Sequence, residues 1–296
     1  MTDRIDLQAL AREANPTRRG VAFLRPVVPA ASDVQALLRI YRTEVLVPWQ
    51  RAVARIVSQY TAPAAGLSMD ADGRELQWLV DQAQRAIDDR RVYQTEQLGR
   101  WVVGAANRNT RGTIAAVRSA TGVDVSASLR LGDVRQLLDA SIQENVALIR
   151  GLNAQTAERV REILLQGFIQ RKSRAQIAAE LRQAMDITWR RARFIARDQN
   201  EKLNAALTRY RNQQMGIRWF RWMTRLDDRV RRTHRAREGR IYSWATGAPI
   251  PERFPGVAIN CRCVGEGVIE YRGSSWREGG YRRRTRDAAP ACCPHH

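Results

Sequence analysis

The sequence predicts a mainly α protein, in which an elongated N-terminal helical region is followed by a small α+β module. Apolar residues recur at helical spacing through most of residues 32–216, and the spacing changes to a strand-like alternation from residue 217. The later part is also punctuated by proline and glycine, and it holds the internal histidine and cysteines, His234, Cys261 and Cys263.

Composition divides the chain into four segments. Residues 1–31 are polar, basic and interrupted by proline, which predicts an irregular arm. The helical region is expected over 32–216, the α+β module over 217–270, and a basic flexible tail over 271–296. No apolar run is long enough to span a bilayer, and the first residues lack the apolar stretch of a secretory signal. We therefore expect a protein of the cytoplasm without a membrane partner.

The first helices of the region 32–216 follow from capping residues and apolar spacing. Ser32 or Asp33 can cap a helix that reaches Leu46, with a kink or break near Pro48 and a further helical run after it. A turn is expected over 61–66, after which helical spacing returns over 70–103. Four glycines between residues 104 and 133 leave the helix boundaries open there.

The later part of the region predicts separate helices over 134–151 and 156–170. A capping box of Ser173 and Gln176 then opens a short helix that ends near Met185. Thr188 is expected to cap a long amphipathic helix that stops at Gly216.

The module begins with a strand from Ile217 to Met223, which carries aromatic side chains on both faces. Thr224 can cap a short helix that ends at Gly239, and residues 240–244 can return as a second strand. A rigid loop rich in proline then leads to the sequence Asn260-Cys261-Arg262-Cys263.

The charge of the chain indicates a polyanionic partner. The formal net charge is +20, and all but two of the 50 basic residues are arginines, which bind phosphate with a planar two-pronged group. Residues 190–240 hold sixteen basic and five acidic residues, whereas a coding bias towards arginine would spread the charge more evenly. We therefore expect binding to double-stranded DNA without sequence preference.

Five arginines of the module are the candidate DNA contacts. Two of them alternate with Trp219, Phe220 and Trp222, and such alternation can combine base stacking with phosphate contacts. The same pattern is also typical of a sheet core with a charged outer face, and we favour the core position for the aromatic residues. The candidates are Arg218, Arg221, Arg229, Arg231 and Arg232.

His234, Cys261 and Cys263 form a candidate metal site, because zinc binds thiolates and imidazole in tetrahedral geometry. Asp227 or Asp228 could supply a fourth ligand. Two alternatives remain open: the thiols and the imidazole only pack the module together, or His234, Asp227 and Asn260 are parts of a metal-dependent nuclease in which the histidine activates water. A disulfide within Cys-x-Cys is disfavoured by bridge geometry.

Residues 173–264 carry an ordered series of motifs that resembles one known family. In order and spacing the series is similar to the phage Mu F-like family, the minor head morphogenesis proteins of tailed phages. Where family members show Arg-Thr-Glu in the long helix, this chain has Arg197-Asp198-Gln199, so no family role is carried over to these residues. The matching motifs are Ile195–Asp198, Asn204–Ala206, Gly216, Trp222–Thr224, Asp227–His234, Gly239 and Asn260–Cys263.

The resemblance implies a minor capsid or head morphogenesis protein that is not an enzyme. Its implied partners are the portal protein, a major capsid or scaffold protein, and the packaged DNA. Its implied location is the interior of the capsid near the portal vertex, after assembly in the host cytoplasm. Two other functions remain as alternatives: a metal-dependent DNA-processing nuclease, and a nucleic-acid-binding protein that never enters a virion.

Overall fold

The computed structural model of the chain describes residues 5–61, 72–274 and 279–280. It is mainly α, as predicted, with a small antiparallel sheet. The turn expected at 61–66 and the tail expected at 271–296 lie largely outside the described residues. The helices are α1 (Leu7–Ala14), α2 (Ala31–Tyr41), α3 (Val47–Gln59), α4 (Asp72–Asp88), α5 (Arg91–Thr121), α6 (Arg135–Ile169), α7 (Arg174–Gln214) and α8 (Arg232–Arg235). The strands are β1 (Val21–Phe23), β2 (Trp219–Met223), β3 (Ile241–Ser243) and β4 (Val264–Glu270).

The chain forms two compact units. The sheet unit comprises Met1–Ala30, Val103–Leu137 and Asn200–His296, and it holds the four described strands. The helical unit comprises Ala31–Val102 and Leu138–Gln199. The domain boundaries predicted after residues 31, 216 and 270 stay a prediction.

Within the helical unit, two predicted helix breaks are absent. The prediction of separate helices over 134–151 and 156–170 is wrong, because α6 continues through Gly151. Asn153 holds this part of α6 in place by accepting a hydrogen bond from the Trp49 indole at 2.8 Å and donating one to Asp88 at 3.0 Å. Such buried contacts offset the cost of about 1 kcal/mol that a glycine imposes inside a helix.

The predicted cap at Thr188 is also wrong, because α7 is continuous through this position. The Thr188 hydroxyl donates back to the carbonyl of Ala184 at 3.1 Å and lies 3.1 Å from the hydroxyl of Thr156. The capping box is confirmed as the start of α7. The backbone N–H of Ser173 donates to the Gln176 side chain at 2.8 Å, and that of Gln176 donates to the Ser173 hydroxyl at 3.3 Å.

The helix expected to kink or break near Pro48 instead passes through a π-helical turn, Arg42–Leu46, directly into α3. Pro48 is the second residue of α3, directly after this turn, and a π-helical turn is a distortion by which a helix can accommodate a proline. The glycines after residue 104 do not interrupt α5, which ends before Gly122 at a φ of +76°.

The sheet has the order β1-β4-β2-β3, and all neighbours are antiparallel. The prediction of an irregular arm over 1–31 is wrong where α1 and β1 form. Both elements are short and depend on partners far along the chain: β1 pairs with β4, and the Gln8 side chain of α1 donates to Val268 at 3.1 Å and accepts from Glu270 at 2.8 Å. Periodicity cannot reveal elements of this kind.

Phe220 and Trp222 lie in the core of the sheet unit, as favoured from the sequence, whereas Trp219 is only partly buried. The rings of Phe220 and Trp244 lie 4.2 Å apart, and Tyr242, Trp222 and Phe254 surround them. These aromatic residues belong to one cluster of buried apolar side chains in the sheet unit.

Gly216 ends α7 as predicted and sets the direction in which β2 begins. Its φ is +71°, and the backbone N–H of Ile217 reaches back to the carbonyl of Asn212 at 2.9 Å. Among the described helices, none combines the length and the apolar composition that crossing a membrane requires.

Candidate functional site

The connection between β2 and β3, residues 224–240, is the arginine turn. Thr224 does not cap a helix at its start, because its hydroxyl accepts the N–H of Leu226 at 3.3 Å in a local turn. The short helix α8 begins only at Arg232 and carries His234. The φ of Gly239 is +73°, which turns the chain into β3 as predicted.

Three of the five candidate DNA contacts, Arg229, Arg231 and Arg232, lie exposed on the arginine turn. Arg231 is held towards the following loop, because its Nη2 donates to the carbonyl of Ile259 at 2.7 Å. Arg218 lies outside the turn, before β2, with its side chain 72% exposed and 3.7 Å from Glu270. These four guanidinium groups are accessible to a polyanion.

Arg221 is different, and we remove it from the DNA-binding set. Its side chain is 3% exposed, and its Nε donates to Glu266 on the neighbouring strand β4 at 2.8 Å. The other side of the guanidinium faces the ring of Phe23, with Cζ 3.6 Å from the ring centre. A guanidinium enclosed by a carboxylate and an aromatic ring stabilises the sheet and is not accessible to phosphate.

His234, Cys261 and Cys263 converge, as predicted, although the histidine and the cysteines are far apart in sequence. Nδ1 of His234 lies 3.5 Å from Sγ of Cys261 and 3.5 Å from Sγ of Cys263. All three side chains are buried, and their ligand atoms lie within 4.8 Å of one another. The Trp222 ring stands edge-on to the imidazole at 5.2 Å and forms one wall of the cluster.

The two thiols have opposite electrostatic environments. A hydrogen bond from the Cys263 side chain, against the opposing effect of burial, lowers the pKa of Cys261 to about 5. The pKa of Cys263 is raised, first by this hydrogen bond to Cys261 and then by burial. The two thiols therefore differ in acidity, and Cys261 is the more acidic of the pair.

Asp227 and Asp228, weighed as a fourth metal ligand, are not part of this cluster in the described residues. Both oxygens of Asp227 instead meet the guanidinium of Arg262, at 2.7 Å and 2.8 Å. This hydrogen bonding lowers the pKa of the Asp227 carboxyl group. An arrangement in which Asp227 or Asp228 joins His234 at a hydrolytic metal is therefore not present among the residues that the structure describes.

Sequence reasoning missed Arg262 as a positioning residue. It lies between the two cysteines, and its ion pair with Asp227 joins the cysteine loop to the arginine turn. Its position inside Cys-x-Cys was the available signal, because such a residue must project away from the converging thiols.

The glycine at 256 allows this loop to approach α7. At this position φ is +81°, and an added Cβ would collide with Cβ of Ala205. Asn260, at a φ of +54°, then turns the chain into the two cysteines. Two left-handed positions thus set the path of the loop that leads into the thiols.

Residues 158–266 match the family described as Phage Mu protein F like protein. The match confirms the resemblance inferred from the sequence, and it includes the arginine turn, the thiols and the start of β4. An uncharacterized protein of Haemophilus influenzae (strain ATCC 51907 / DSM 11121 / KW20 / Rd) is 32% identical over 182 residues, which are 61% of this chain. The matched part spans 40% of the length of that relative. No solved structure matches the chain significantly.

Proposed function

We propose that this protein is a minor head protein of a tailed phage, recruited to the assembling head by the portal and in contact with the packaged DNA. The observation that carries the proposal is the match of residues 158–266 to a phage family. The long helix α7, the arginine turn and the cysteine loop all contribute to that match. A role inside the head, near the portal vertex, follows from what the family resemblance implies.

The exposed arginines support the DNA contact. Arg229, Arg231 and Arg232 lie close together in sequence on one exposed turn, so a single stretch of phosphate backbone can meet several of them. Each phosphate contact releases condensed counterions, which gives affinity without sequence preference. Packaged DNA contains many different sequences, so binding that does not depend on sequence suits the interior of a head.

A surface for a protein partner is also required, because DNA binding alone would not place the protein in a forming shell. Three apolar side chains of the sheet unit are exposed: Leu226 in the arginine turn, and Val257 and Ile259 in the loop that leads to the cysteines. Ile259 is 60% exposed, and its carbonyl accepts the hydrogen bond from Arg231. Apolar residues flanked by arginine are a composition favoured at protein interfaces, and we assign this surface to the portal.

The assembly experiment is co-purification with portal oligomers, before and after nuclease treatment. Ile259→Glu is expected to abolish recovery with the portal, because a charge would be buried at the contact. Val92→Glu is the matched control, since Val92 is 84% exposed and lies in the helical unit. Equal recovery of both variants would contradict the assigned portal surface.

The location is tested by quantitative mass spectrometry of purified virions. We expect the protein in mature particles at far fewer copies than the shell protein. Absence from particles, or recovery with the portal only in a nuclease-sensitive form, would favour a nucleic-acid-binding role outside the virion.

A further inference from the structure

We propose that His234, Cys261 and Cys263 bind a zinc ion through the imidazole Nδ1 and two thiolates. The proposal concerns the chemistry of this cluster and does not depend on the phage function proposed above.

The spacing of the three ligand atoms fits tetrahedral zinc. Bonds of about 2.3 Å to sulfur and about 2.0–2.1 Å to nitrogen, at the tetrahedral angle, place the two ligand atoms about 3.6 Å apart. The observed distances from Nδ1 of His234 to the two sulfurs are both 3.5 Å. The imidazole nitrogen therefore lies at the distance from each sulfur that a shared zinc ion requires.

A single two-centre hydrogen bond does not account for two equal distances from one nitrogen. Nδ1 of a neutral imidazole carries either one hydrogen or one lone pair, so it can make one good hydrogen bond. Here it lies equally far from Cys261 and Cys263, with both thiols turned towards it. An ion between the three atoms satisfies all of them at once.

The burial of the three side chains favours a divalent cation that binds thiolates. His234, Cys261 and Cys263 are all below 5% exposed, and a buried thiolate without a cation is costly. Zinc with two thiolates and a neutral imidazole has no net charge, and thiolate ligands select zinc over magnesium or calcium. Three protein ligands leave the fourth tetrahedral position to a non-protein ligand, of which water is the simplest.

The ion would fasten two segments that other contacts already hold together. His234 belongs to the arginine turn, and the cysteines precede β4. The same two segments are joined by the Arg231–Ile259 hydrogen bond and by the Asp227–Arg262 ion pair. A zinc ion at the cluster would thus fix the exposed arginines relative to the sheet.

The experiment is elemental analysis of the full chain, expressed in zinc-supplemented medium, with the competing ligands of the tail substituted. We expect one zinc ion per chain in this background, and charge-transfer absorption from thiolate to cobalt when Co²⁺ replaces zinc. The background substitutions are C292S, C293S, H295A and H296A.

The ligand variants His234→Asn, Cys261→Ser and Cys263→Ser are each expected to lose the ion. Thr233→Ala is the matched control, because Thr233 is exposed and lies next to His234 in α8 while all three ligands remain. We expect it to retain the zinc. Loss of zinc from this control but not from the ligand variants would contradict the assignment.

A second measurement does not depend on the folding of any ligand variant. Removal of the ion with a chelator from the tail-substituted protein is expected to lower Tm by roughly 10 °C, and one equivalent of zinc should restore it. Protein that carries no stoichiometric zinc, and whose Tm does not respond to the chelator, would overturn the proposal. The virion and portal measurements would be unaffected by that result.

Discussion

Removal of the carboxylate of Glu266 tests whether Arg221 is a structural residue of the sheet. The two residues are direct partners in the β2–β4 register, and both side chains are 3% exposed. In Glu266→Gln the guanidinium would stay buried without an opposite charge, which typically costs about 3–5 kcal/mol. At about 2–4 °C per kcal/mol, we expect Tm to fall by roughly 6–20 °C.

The assay is urea denaturation followed by tryptophan fluorescence, because Trp222 is adjacent to Arg221 and buried in the core. Replacement of both partners, Arg221→Met with Glu266→Leu, should recover most of the lost stability, since no uncompensated charge remains. The control is Arg218→Ala, whose guanidinium is 72% exposed; we expect a cost of at most about 1 kcal/mol.

Two results would refute this reasoning. The first is a Glu266→Gln variant that unfolds at the same urea concentration as the unsubstituted protein. The second is an Arg221→Met variant that keeps its stability and loses DNA affinity, which would return Arg221 to the DNA-binding set.

Three further outcomes test the DNA contact and the packing of two glycines. The variant R229A/R231A/R232A removes three arginines of the arginine turn. We expect the slope of log affinity against log salt to fall in magnitude by about 2.7, at about 0.9 per phosphate contact. Removal of three exposed arginines of the helical unit, in R39A/R51A/R55A, should leave this slope unchanged. Equal slopes for R229A/R231A/R232A and R39A/R51A/R55A would mean that DNA affinity depends only on the net charge of the protein. Gly151→Ala should raise the unfolding free energy by about 0.5–1 kcal/mol, because the position is helical and its Cβ meets open space. Gly267→Ala should lower the unfolding free energy by about 1–3 kcal/mol, because the added Cβ would collide with Oδ1 of Asn212. Unchanged denaturation midpoints would contradict both glycine predictions.

The sequence predicts best where the signal is local or the residue type is rare. Ser173 and Gln176 lie three residues apart and form the capping box as expected. Histidine and cysteine are scarce in this chain, so the convergence of His234 with the two cysteines could be inferred before the fold was known. Gly216 ends its helix because a positive φ is required there.

Prediction fails where the partner is distant in sequence. From the sequence alone Arg221 is expected to be exposed, because its ion-pair partner Glu266 is 45 residues away and the pair cannot be recognised. The strand β4 was not predicted, since its two glycines weaken a strand pattern; in the structure they make room for Trp244 and Asn212. Helix breaks were predicted at Gly151 and Thr188 from intrinsic preference, which tertiary contacts override.

The position of β4 in the sheet has a consequence for the order in which the protein can fold during synthesis. Val21 of β1 pairs with Glu270 of β4, and β4 also separates β1 from β2. A ribosome that adds about 5–20 residues per second leaves β1 without its partner for roughly 12–50 s. During that interval the helical unit can assemble from residues already made, while the edge of β1 stays open to other chains. We therefore expect the sheet to form last, and truncation before residue 270 to leave a helical intermediate that aggregates.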